Sequence, residues 1–115
     1  MTPQEIIDRL EGSNIILSQK NDEYIELSKK RAEAERIYNV AVAEETLRLK
    51  LEGTAATIMD KLVKGNKTVA QFKFDLDVAD GVLKACSSQI KIILAQIDTY
   101  RSLLAWMKME LHNAR

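Results

Sequence analysis

The sequence predicts an all-α fold: a long antiparallel helical hairpin, a coiled coil with a short corner helix, two copies of which are expected to pair into a four-helix bundle. Three observations predict it. Of 115 residues only one is proline and four are glycine, so the turn chemistry a sheet needs is scarce. No stretch alternates apolar and polar side chains at the two-residue period of a strand. From Val69 onward, apolar residues recur at steps of three and four, the spacing of a coiled-coil seam.

The chain is long enough for one domain and short for two. The first element opens on Thr2, Pro3 and Glu5, a Thr cap, a proline at the first helical position and a glutamate at the third. A helix over about residues 3–52 follows. Gly12, Ser13 and Asn14 are weak helix formers and leave room for a break at 12–14. Leu17, Tyr24, Leu27, Ala34, Tyr38 and Ala41 form its apolar stripe, with Arg31 falling among them; beyond Val40 the stripe is expected to drift toward Leu47 and Leu51.

Gly53 is placed to end this helix in the left-handed conformation, and Thr54 to cap the next. A corner helix over about residues 55–64 carries Ile58, Met59, Leu62 and Val63 on one face, and Gly65 is expected to end it. Thr68 to Gln71, a second capping box, opens the last helix, about residues 68–112.

That helix holds the strongest pattern. Val69, Phe72, Leu76, Ala79, Leu83, Cys86, Ile90, Ile93, Ile97, Tyr100, Leu104, Met107 and Leu111 follow one another at three and four without a charge among them. They are read as the core and oligomer seam. A second row, Val78, Val82, Ala85, Ile92, Leu103 and Trp106, lies beside it with Gln89, Gln96 and Thr99 in between. One partner helix cannot cover both rows, so the second is a candidate face for another chain.

Charge narrows the partners. With 17 basic and 17 acidic side chains the net charge is zero, so no long-range field draws the chain to phosphate backbones or anionic lipid. Residues 1–52 carry 8 Lys/Arg and 11 Asp/Glu, net −3, while residues 53–115 carry 9 and 6, net +3. The two parts are complementary. Lys29, Lys30 and Arg31 form the one basic cluster that could touch phosphate, but acidic residues interleave at once and a solvated helix face is the favoured reading.

Catalytic and metal chemistry find little support. The only histidine, His112, has no second His or Cys near it. Cys86, the only cysteine, sits in the seam and reads as a small buried hydrophobe rather than a nucleophile. Glu44 with Glu45 and Asp75 with Asp77 read as surface charge, and Gly53 and Gly65 do not make a phosphate loop because no strand precedes them. No enzyme activity, cofactor or metal is expected, and neither is a membrane segment, since no apolar run of spanning length occurs. A cytoplasmic location is the default.

The run AEETLRLKLEGTAATIMDKLVKGN, followed by Val69-Ala70 and a heptad helix that closes on a tryptophan, resembles a group of small helical proteins from the early regions of tailed phages and prophages of Gram-positive bacteria. The matching features are Leu47 to Leu49, Glu52-Gly53, Ala56-Thr57, Lys64-Gly65 and Trp106, and the resemblance covers the chain from about Tyr38 onward. Secreted helical hairpins with a Trp-x-Gly turn match less well, because Leu51 and Glu52 precede Gly53. The phage group is functionally uncharacterised and brings no catalytic residue. The resemblance implies a phage setting and action in the host cytoplasm.

The expected function is therefore a non-enzymatic coiled-coil interaction protein of phage type, self-associating as a homodimer and binding a host or phage protein. The alternatives are a nucleic-acid-binding accessory of phage recombination or replication, working through Lys29, Lys30 and Arg31, and a scaffolding or assembly protein.

Overall fold

The computed structural model describes residues 1–114 and contains three helices: α1 (Pro3–Leu51), α2 (Ala56–Gly65) and α3 (Lys67–Asn113). No strand occurs among the described residues. The fold is the expected antiparallel helical hairpin with a corner helix.

Thr2 caps α1 as the sequence predicts, its Oγ1 accepting the Glu5 N–H at 3.2 Å. The helix then runs unbroken through Gly12, Ser13 and Asn14, against the expected weak point. The three residues together cost α1 about 1–2 kcal/mol of propensity. Tertiary burial outweighs it: Ile6 is fully buried and Ser13 itself faces the core.

At its far end α1 closes in a Schellman motif. Gly53 takes φ +82°, the only positive φ among the described residues, the Gly53 N–H donates to the Lys50 carbonyl at 3.1 Å, and Thr54 N–H reaches back to the Leu49 carbonyl at 3.0 Å. Thr54 is spent on this turn and does not cap α2. Ala55 holds the cap position without a side-chain hydrogen bond.

The second corner differs from expectation in its chemistry. Gly65 is the last residue of α2 with ordinary φ, and the turn is made by Asn66, which is extended (φ −63°, ψ 129°). Asn66 Oδ1 accepts the backbone N–H groups of Thr68 at 3.0 Å and Val69 at 3.1 Å, so Asn66 rather than Thr68 caps α3. Asparagine outranks threonine at this position, and α3 accordingly starts at Lys67.

The chain forms two compact units. In the first, residues 1–25 of α1 pack against α3 from Ala85 on, around Ile6, Cys86 and Ile97. Cys86 Sγ lies 3.7 Å from the Lys20 carbonyl, and the Tyr100 hydroxyl is set against the Arg9 guanidinium. In the second, residues 26–84, Leu49 of α1, Val63 of α2 and Val69 of α3 form a buried cluster, flanked by Tyr38, Ala41, Val42 and Met59. The Lys73 ammonium stands 5.6 Å from the centre of the Tyr38 ring, a cation–π contact.

This packing corrects the reading of α1 near the corner. Leu47 and Leu51, toward which the stripe was expected to drift, are exposed, and Leu49 is buried in their place because α2 packs on its side. On α2 only Val63 is buried and Met59 half-buried; Ile58 and Leu62, expected on the same face, point to solvent.

A second finding concerns α1 itself. Ile6, Leu10, Ser13, Leu17, Lys20, Leu27, Arg31, Ala34, Tyr38, Ala41 and Glu45 are all buried or half-buried, and with Tyr24 at the rim they keep the same three–four spacing as α3. Four polar residues, Ser13, Lys20, Arg31 and Glu45, occupy places that a plain apolar seam would fill with Leu or Ile.

Candidate interaction surface

The row of α3 picked out by its three–four spacing is turned inward. Leu76, Cys86 and Ile97 are buried, and Phe72, Leu83, Ile90, Ile93, Tyr100, Leu104 and Met107 are half-buried, which together with Val69 and Ala79 accounts for the row up to Met107. Leu111 falls outside it and is 62% exposed, so the seam stops one step earlier than its spacing suggests.

The neighbouring row behaves oppositely. Val78, Val82, Ile92 and Trp106 are exposed, Ile92 at 58% and Trp106 at 57%, as is Ala85, and only Leu103 is half-buried. The whole row from Val78 to Trp106, including Gln89, Gln96 and Thr99, lies one residue before the seam and has no charge. The row one residue after the seam is different: Asp77, Asp80, Lys84, Lys91, Asp98, Arg101 and Lys108 all belong to it. The two flanks of one helix are thus chemically distinct.

Next to the uncharged row lies a third, at every seventh residue: Phe74, Gly81, Ser88, Ala95, Ser102 and Met109. All six are exposed and none is charged. Sequence reading missed this row because four of its members are small, and a hydrophobicity pattern registers large side chains. The signal that finds it is the absence of charge over 32 consecutive residues of one face, Val78 to Met109, with Asp75 and Glu110 marking its ends. Part of the face is a shallow groove lined by Ile92, Ala95, Gln96, Thr99 and Tyr100.

The basic cluster is less free than its sequence suggests. Lys29 is exposed and pairs with Glu26 at 3.2 Å. Lys30 is exposed beside Glu33 and Ile37 in a groove that Phe72 and Asp75 complete. Arg31, in contrast, sits in the α1 seam and bridges the helices: its Nε donates to Asp80 Oδ1 at 3.0 Å and its Nη1 to Glu35 Oε2 at 2.8 Å. Asp80 in turn accepts Lys84 Nζ at 2.9 Å. Arg31 is therefore occupied by carboxylates from two helices, which removes it from any phosphate-facing strip.

The electrostatics follow these contacts. Hydrogen bonds from Lys84 and then Arg31 hold the Asp80 carboxyl below its ordinary range, and Asp80 and Glu35 hold the Arg31 charge. A second cluster near the corner works alike: Arg48 bridges Glu45 and Glu52, and the Glu45 carboxyl is lowered chiefly by its hydrogen bond from Arg48.

Cys86 is buried, and no group of three metal-binding side chains occurs among the described residues. No helix among them is long and apolar enough to cross a membrane.

Fold and surface define a class: an antiparallel helical hairpin that buries one uncharged stripe of its last helix and exposes another. Compared with protein-family models, with curated proteins and with solved structures, the chain matches none.

Proposed function

We propose that the protein is a non-enzymatic interaction protein that acts by docking its exposed helix face on other protein chains, a host or phage protein being the intended partner in the phage setting the sequence resembles. The observation that carries this reading is the uncharged, largely exposed face of α3 between Val78 and Met109. Monomeric proteins seldom align large apolar side chains such as Val78, Val82, Ile92 and Trp106 along one exposed helix face. Trp106 is of the aromatic type that anchors protein interfaces, and the exposed Val78, Val82 and Ile92 supply apolar area along the same face.

The nucleic-acid alternative draws less support, because Arg31 is held by Asp80 and Glu35 and Lys29 by Glu26. A scaffold would need a second, unrelated contact surface to propagate, and one closed face favours a finite assembly.

The test is capture by the immobilised wild-type chain and by Ile92→Glu from a lysate of the bacterial host. A partner retained by the wild type and lost with Ile92→Glu supports the reading. Identical capture by both chains, or specific retention of nucleic acid that survives Ile92→Glu, overturns it.

A further inference from the structure

We propose that the uncharged face of α3 is covered by a second copy of the chain, packed antiparallel, α3 against α3, with the two-fold axis through Ile92. This rests on reading that face as a protein-docking surface and names one chain that docks on it.

The stripe is symmetric in side-chain size about Ile92. Its middle row is Val78, Ala85, Ile92, Thr99 and Trp106, each seven residues from the next. Turning a second copy end for end about Ile92 brings Ile92 onto itself, Ala85 opposite Thr99 and Val78 opposite Trp106. Within this row each larger side chain but the axial one meets a smaller partner, so the two copies of the row interdigitate rather than collide. The flanking rows obey the same axis. Val82 faces Leu103 and Gln89 faces Gln96 on one side; on the other, Phe74 faces Met109, Gly81 faces Ser102 and Ser88 faces Ala95.

Each of these pairs has a physical use. Small residues near the axis let two helix backbones approach, while the large ones at both ends supply area. The Gln89–Gln96 pair occurs twice, and each amide offers a donor and an acceptor to the other, so the polar groups enter the interface satisfied.

Charge at the rim chooses the direction. The row beyond the stripe carries Asp77, Lys84, Lys91 and Asp98, again seven apart. The antiparallel arrangement sets Lys84 near Asp98 of the second copy, twice, and places like against like only at Lys91 on the axis and at the stripe's ends, where Asp75 meets Glu110. A parallel, in-register pair would put the two rim rows on opposite sides of the interface, leaving Lys84 without Asp98, and would stack Trp106 on Trp106. Antiparallel pairing is the arrangement with complementary charge and graded size.

The area is sufficient. From Phe74 to Met109 the stripe runs about 53 Å at 1.5 Å per residue, and a helix face about 10–12 Å wide gives roughly 550 Å² per copy. The total, about 1,100 Å², clears the roughly 1,000 Å² that separates a biological interface from a casual contact, at the small end of the scale. The interface is isologous and closes at two chains.

Disulfide trapping in the full-length chain, in a Cys86→Ala background, tests this. Ile92→Cys is expected to cross-link to itself. Ala85→Cys alone and Thr99→Cys alone should not, because antiparallel copies hold either position about 21 Å from its counterpart, well beyond the Cα separation of about 7 Å a disulfide tolerates. Mixed together, A85C and T99C chains should cross-link. On undisturbed wild type, emission from the lone Trp106 should shift to shorter wavelength as concentration rises, and Ile92→Glu should abolish that shift while keeping its helical circular dichroism.

Self-cross-linking of A85C would overturn the proposal in favour of parallel packing, and a wild type that stays monomeric, with unshifted Trp106 emission, would overturn self-pairing altogether. In that second case a host partner lost with Ile92→Glu still upholds the docking reading. Conversely, a trapped antiparallel dimer whose capture experiments recover no partner upholds the dimer and counts against a host or phage target. The two failures are thus distinct.

Discussion

Two isoleucines five residues apart on α3 should behave as though they belonged to different proteins. Ile97 is 3% exposed in the seam, while Ile92, at 58%, faces out. Truncating either to alanine removes three carbon groups, worth about 0.8 kcal/mol each when fully buried. For Ile97→Ala this gives about 2.4 kcal/mol, to which an incompletely collapsed cavity adds a little, so about 2.5–3 kcal/mol is expected. For Ile92→Ala less than half of that area is withdrawn from water within one chain, which limits the loss to about 1 kcal/mol. Urea denaturation followed by far-ultraviolet circular dichroism, at a dilution where association does not contribute, measures both. A melting point lower by about 10–15 °C is the thermal counterpart for Ile97→Ala, and a few degrees for Ile92→Ala. Equal losses at the two positions, or a larger loss at Ile92 in dilute solution, would refute the division of α3 into an inner seam and an outer docking row.

Three further outcomes follow from the corners and the ion bridge. Asn66→Ala should cost about 1 kcal/mol by leaving the Thr68 and Val69 N–H groups without their cap, whereas Thr68→Ala should be nearly neutral; denaturant midpoints of the two variants decide it. Gly53→Ala should destabilise by about 1–2 kcal/mol through the left-handed backbone alone, since no atom lies within 4 Å of the added carbon, and a neutral result would contradict the Schellman closure of α1. Asp80 is held below its ordinary carboxyl range, so its contribution is complete above the unfolded value of about 3.9 and is lost as pH falls through the lower folded value. Asp80→Asn should therefore be less stable than wild type at neutral pH and converge with it in acid; a gap that widened on acidification would be inconsistent with the bridge.

Much of this fold was legible because α3 repeats one simple rule. Every third or fourth residue from Val69 to Met107 is uncharged and turned inward, and periodicity of that length leaves no other secondary structure in contention. The hairpin's other strand of the pattern was obscured by substitution. Ser13, Lys20, Arg31 and Glu45 stand at seam positions of α1, and a hydrophobic stripe cannot be traced through polar side chains, whether their partners are local, as Glu23 is for Lys20 and Arg48 for Glu45, or on another helix, as Asp80 is for Arg31. Arg31 is the clearest instance: its sequence neighbours Lys29 and Lys30 suggest a basic patch, and only Asp80, distant in sequence, reveals a bridge.

The corners failed for a local reason. Thr54 and Thr68 are both sound capping residues, but the Schellman turn consumed the first and Asn66, two residues upstream, displaced the second. The candidate surface was half visible. Val78, Val82, Ile92 and Trp106 stand out by size, whereas Gly81, Ser88, Ala95 and Ser102 matter for what they lack, and only the solvent exposure of the helix shows that they adjoin.

The central claim, that α3 carries a docking face filled by another chain and first of all by a second copy, is tested most directly by the mass in solution. Light scattering across a wide concentration range, on wild type and on Ile92→Glu, compares the particle with a single chain of 13.0 kDa. The account predicts twice that mass for the wild type, no larger species, and the single-chain mass for Ile92→Glu with its helical signal intact. A wild type that keeps the single-chain mass throughout, or a dimer that Ile92→Glu leaves undisturbed, would contradict it.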